Sequence, residues 1–259
     1  MKKIIILSVL ILMFPMGLYA GAIITLGGAA PAGTPSSYTD ILFHWNAENS
    51  LDADKGTLTA SNTGMTFPSA SPSPAVSTYS LGRTTAEDRC TFTLVEGTHI
   101  DKHNGQIGFW YNYSSSSPPG NNEPIFKISY DASNVIQFQW MTGGDVYLKY
   151  VGQATTDYVL TASDYMSADT WYFIVGMWNV GAVGDDLDVS IYDAAGSLVG
   201  SSAGDASITE MDGAADGANM TLLIGENSAD TWIMYWDNII VSTDASRNMV
   251  AVRATTNFN

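Results

Sequence analysis

The sequence predicts an all-β chain folded as a two-sheet antiparallel jelly-roll sandwich. Apolar and polar residues alternate with period 2 in one segment after another, and Gly, Pro, Asn, Asp and Ser clusters punctuate them at short intervals. No stretch keeps helical periodicity with caps through three turns. No repeat of fixed period is present either, which argues against a propeller, whose blades would show one.

The first 22 residues, MKKIIILSVLILMFPMGLYAGA, place two lysines before an apolar run from Ile4 to Met16 and end on small residues. That is the pattern of a secretory signal peptide, with Ala20-Gly21-Ala22 as an A-x-A cleavage pattern. The apolar run is short of the roughly 20 residues that a spanning helix needs. Residues 23–37 are rich in Gly, Ala, Pro and Ser and read as a flexible leader.

A single domain is expected over 38–245. Its strands are predicted at 41–46 (ILFHWN), 90–96 (CTFTLVE), 106–113 (QIGFWYNY), 124–130 (PIFKISY) and 135–141 (VIQFQWM). They continue at 145–151 (DVYLKYV), 170–179 (TWYFIVGMWN), 187–193 (LDVSIYD), 220–226 (MTLLIGE) and 233–242 (IMYWDNIIVS). Asp193 to Gly196 reads as a hairpin turn leading into SLVG, and 161–170 has room for one helical turn. Residues 246–259 form a tail in which Val250 and Val252 alternate, as in an added edge strand of this or a neighbouring domain.

Ten Lys and Arg stand against 26 Asp and Glu, for a net charge of −16. Such a surface argues against nucleic acid or anionic lipid as partners, because cationic contacts supply most of that affinity. It suits an exported protein and offers oxygen ligands to a hard cation; adaptation to a salty environment explains it equally well. Cys90 is the only cysteine and alternates with Phe92 and Leu94, so it reads as a small core residue.

Several segments, in this order, resemble the laminin-G-like, or concanavalin A-like, jelly-roll family across Tyr38 to Thr243. They are FHWNAENSLDADKG (43–56), GQIGFWYNY (105–113), SADTWYFIVGMWN (167–179), LDVSIYDAAGSL (187–198), LLIGEN (222–227) and WDNIIVS (236–242). The resemblance implies that fold, and a calcium ion joining the first strand region to an aspartate of the last strand. It would place that aspartate at Asp237, with Glu48 and Asn46 as partners from the opening loop; Asn49, Asp52 and Asp54 are further oxygens there. Calcium takes about 6–8 such ligands. Strict alternation puts Asp237 on the face of Tyr235 and Ile239, where an unpaired carboxylate is expensive. The simpler reading is that Asp237 accepts backbone N–H bonds.

Retaining glycosidases of this fold carry acids on one strand face as E-x-D-x-x-E or E-x-D-x-E. The nearest segment here is Glu210-Met211-Asp212, followed by Gly213, so the pair is not present as that chemistry requires. His99 and His103 fall in THIDKHNG, read as a surface loop, and no G-x-S-x-G elbow accompanies any serine. The tryptophans are mostly expected in the core. Tyr111, Tyr113, Gln137, Gln139, Tyr147 and Lys149 mix polar and aromatic character on strand faces, as a sugar-binding surface does.

The sequence therefore reads as a secreted, non-catalytic binding or adhesion module for a glycan or another extracellular surface partner, with structural Ca²⁺, without membrane insertion and with room for self-association. A self-assembling surface or matrix subunit is the second reading, and a divergent glycoside hydrolase the third.

Overall fold

The structure is a computed structural model that describes residues 38–69, 78–116, 119, 123–141, 145–152, 156–160, 166–181, 185–204, 208–211, 217–225, 231–244 and 248–253. The expected signal peptide and leader, and residues 161–165 of the expected helical turn, lie outside them.

The chain runs through β1 (Ile41–Trp45), β2 (Ser61–Thr63), β3 (Leu81–Arg83), β4 (Arg89–Val95) and β5 (Asn104–Tyr113). Then follow β6 (Glu123–Asp131), β7 (Asn134–Met141), β8 (Asp145–Val151), β9 (Thr156–Leu160) and β10 (Tyr172–Asn179). It closes with β11 (Leu187–Tyr192), β12 (Leu198–Gly204), β13 (Asn219–Ile224), β14 (Met234–Ser242) and one helical turn, α1 (Met249–Val252). Each strand expected from alternation is found.

The strands form two antiparallel sheets, a jelly-roll sandwich. The first has the order β1-β14-β5-β10-β11-β12, with β3 also paired to β14; the second has the order β2-β4-β13-β6-β7-β8-β9. First and last strands are neighbours, so the two ends of the domain close one sheet. Between the sheets lies a core that includes Phe43, Trp45, Phe92, Phe109, Phe126 and Phe138, all at most 1% exposed. Phe109 stacks on Phe126 at 5.3 Å and meets Phe138 edge-on at 5.2 Å, an arrangement that adds to plain area burial. Gly176 lets the sheets approach: a Cβ there would stand 2.2 Å from Phe138 Cζ. Cys90 is buried, as its alternation predicts, and burial pushes its thiol up to about 12.

A second, smaller apolar cluster lies apart from this core and joins Ile41, Trp110, Phe173 and Ile240 to Met249 and Val252 of α1. The segment expected as a tail or an added edge strand forms a helical turn over Met249–Val252. Met249 and Val252 are three apart, a spacing that puts both on one helical face, and Asn248 caps the turn by accepting from Ala251 N.

A bulge in β14 also changes the expected alternation. Asp237 opposes Trp110 and Ile240 opposes Gly108, so three steps on β14 match two on β5. Asn238 takes up the extra residue at φ 45°. Beyond it the faces exchange: Ile239 joins the core and Ile240 the smaller cluster. Asp237 therefore does not share a face with Ile239.

Candidate functional site

Four of the six expected ligand residues come together. Gln137 and Gln139 alternate with buried Ile136, Phe138 and Trp140 on β7, and Tyr147 and Lys149 alternate likewise on β8. Their period-2 pattern turns all four outward, half-buried, on the second sheet. Register pairs Gln137 with Lys149 and Gln139 with Tyr147. Lys127 of β6 stands opposite Gln137 on its other side, giving a transverse row Lys127–Gln137–Lys149. The two ammonium-bearing strands are two spacings apart, about 10 Å. In a chain of net charge −16 this row reverses the prevailing sign locally.

Tyr111 and Tyr113 do not belong to that surface, a correction to the expectation. Both are buried in the sandwich core. Tyr111 donates its hydroxyl to Met234 Sδ at 3.1 Å, and Tyr113 donates to the Met166 carbonyl at 3.0 Å. Strand β5 is covered on both faces, so its alternation carries no wet side.

At the junction of the chain ends, Asp237 is 1% exposed. Its Oδ1 accepts from Asn238 N at 2.8 Å and from Ala47 N at 3.4 Å. Asn46 precedes that amide; its own N–H donates to Asp54 Oδ2 at 2.6 Å, while its side-chain Oδ1 is shielded from solvent with no hydrogen-bond donor among the described residues. Glu48 is exposed, and its Oε1 accepts from Thr78 N at 2.6 Å. Asp237 and Asn46 thus meet through the Ala47 amide, and the lone buried acceptor of Asn46 suits a cation; Glu48 is engaged by Thr78.

His44, the neighbour of this junction on β1, is fully buried, and burial pushes it down to about 4. His99 is buried rather than a surface residue. Its Nδ1 accepts from Val95 N (3.0 Å) and its Nε2 donates to the Gly56 carbonyl (2.9 Å), so its task is to tie two loops together.

One convergence of metal-ligating side chains escaped the sequence: Glu96, Asp101 and His103, at the connection from β4 to β5. Glu210 reaches the same place from elsewhere in the chain. It is half exposed, with Oε1 3.1 Å from Lys102 Nζ and 3.0 Å from His103 Nε2. These hydrogen bonds hold its carboxyl below the usual range. Asp212, the other acid of that segment, lies outside the described residues.

No protein-family model matches the chain, and no curated protein matches it. Among solved structures it is similar to the botulinum neurotoxin serotype D binding domain, with a TM-score of 0.61 and 13% identity over 82% of this chain and 49% of that one. The receptor-binding domain of the botulinum neurotoxin C/D mosaic serotype gives 0.60 and 14%, over 81% and 49%. The serotype D ligand-binding domain in complex with N-acetylneuraminic acid gives 0.58 and 14%, over 83% and 50%. At these identities the likeness establishes the fold, and the chain spans about half the length of these domains. Among the described residues no helix is long and apolar enough to cross a membrane.

Proposed function

We propose that the protein is an exported, non-catalytic carbohydrate-binding or adhesion module whose ligand lies on the outer face of the second sheet. The observation that carries this reading is the convergence of Gln137, Gln139, Tyr147 and Lys149 on adjacent strands, beside Lys127. Amides there suit sugar hydroxyls, the Tyr147 ring suits the C–H edge of a pyranose, and two lysines suit a carboxylated sugar. A jelly-roll neighbour determined with N-acetylneuraminic acid supports the same ligand class. The order of strand motifs supports membership of the laminin-G-like or concanavalin A-like group. Structural Ca²⁺ fits Asp237 and Asn46 Oδ1, where it would neutralise a buried carboxylate and supply the acceptor's missing partner. A glycan array probed in calcium-containing buffer tests the reading. Retention of acidic glycans above neutral ones is expected, and retention of none would overturn it.

The alternative, a self-assembling surface subunit, draws on β12. This strand ends the first sheet and leaves Leu198 55% exposed, and exposed edges invite pairing with another chain. Light scattering on the eluted protein separates the two: concentration-dependent multimers favour assembly, and a monomer that retains glycan favours the binding module.

A further inference from the structure

The geometry points to a divalent transition-metal site formed by Glu96, Asp101 and His103, with Glu210 as the outer partner of the imidazole. The three proposed ligands each offer an atom, and these atoms lie within 4.8 Å of one another. The loop that carries them is held in place before any ion arrives. Glu96 Oε2 accepts from Lys102 N at 3.2 Å, and Asp101 Oδ1 accepts from His103 N at 2.8 Å and Asn104 N at 3.3 Å. Two core side chains fasten its carbonyls: Trp178 Nε1 donates to Asp101 O at 2.8 Å, and Tyr150 OH donates to Lys102 O at 2.9 Å.

The imidazole is bracketed. His103 Nε2 stands 3.0 Å from Glu210 Oε1, and Nδ1 stands 3.5 Å from Asp101 Oδ1. A neutral imidazole carries one N–H. Given to Glu210, that N–H leaves the Nδ1 lone pair facing the Asp101 carboxylate, two acceptors with a cation's place between them. Carboxylate–imidazole–metal relays are built this way, the outer carboxylate setting tautomer and orientation. Lys102 Nζ, 3.1 Å from the same Glu210 oxygen, keeps that carboxylate ionised and placed.

Glu96 is 3% exposed. Two carboxylates and one imidazole suit Zn²⁺ or a neighbouring first-row ion; Ca²⁺ prefers an all-oxygen shell. Asp101 and His103 are half exposed, which leaves coordination positions open to water or a ligand oxygen.

The test is titration of the metal-stripped full-length chain with Zn²⁺ by calorimetry, and with Co²⁺ by visible absorption. One equivalent of either is expected, with Co²⁺ bands of a mixed nitrogen–oxygen shell. His103→Ala should abolish saturable binding and the bands, and Glu210→Gln should weaken binding about 10–100-fold at unchanged stoichiometry. His103 and Glu210 are 43% and 52% exposed at the side chain, so both variants are expected to fold, which far-UV circular dichroism checks. Absence of saturable binding, or undiminished binding in His103→Ala, would overturn the assignment.

Discussion

His44 Nε2 donates to Asn238 Oδ1 across 194 residues, tying the first strand to the bulge in the last. Asn238 in turn donates through Nδ2 to the Arg253 carbonyl at 2.7 Å, which Trp110 Nε1 also reaches at 3.0 Å. A single amide side chain therefore joins β1, β14 and the end of α1.

Asn238→Ala removes both bonds, strands a buried His44 N–H and keeps a β-carbon at φ 45°. A loss of about 2–4 kcal/mol is expected. Asn238→Gly loses the same bonds but relieves the backbone, so it should be milder by about 1 kcal/mol. Urea midpoints of the two variants check this; equal losses would show that the backbone carries no strain.

Burial lowers the His44 imidazole to about 4, against roughly 6.5 in an unfolded chain. Between those values the unfolded state holds the extra proton, so stability falls as pH drops from about 6.5 to about 4 and this contribution levels off below. The full effect is about 3 kcal/mol. His44→Gln should flatten the dependence of the melting temperature on pH in that window, and a slope identical to the wild type would contradict the assignment.

Gly176→Ala sets a methyl against the Phe138 ring, with Leu148 Cδ2 3.2 Å away on the other sheet. Both rings and branches there are locked in the core, so overpacking by about 1–3 kcal/mol is expected in equilibrium unfolding. A neutral result would mean that the sheets separate without penalty.

Calcium at Asp237 predicts a melting temperature that falls on addition of EDTA and recovers with excess Ca²⁺. Asp237→Asn, which keeps an oxygen for the Asn238 and Ala47 amides, should melt at one temperature in both buffers. If EDTA leaves the wild type unmoved, the calcium assignment fails.

The strands were legible because half-buried sheets write their faces with period 2, as in QFQW. The same signal misled at Tyr111 and Tyr113, since β5 is covered by the core on one side and by Trp110 and its cluster on the other. At Asp237 alternation failed for a local reason: one residue in the left-handed region reverses every face beyond it. Val250 and Val252 satisfy period 2, which left an edge strand open beside a plain tail, while Met249 and Val252, three apart, satisfy the helical turn that forms. The His103 cluster was beyond reach, since its Glu210 partner is brought in by tertiary folding and no local spacing announces it.

The most direct measurement is titration of an N-acetylneuraminic acid-terminated glycan into the wild type and into the Gln139→Ala/Tyr147→Ala variant. Both substitutions lie on the outer face of the second sheet, so the fold and its melting temperature should be kept. Saturable binding by the wild type, weakened at least about tenfold in the variant as expected for loss of an aromatic contact and its polar neighbour, is the predicted result. Equal affinity in both proteins would contradict the placement of the binding face.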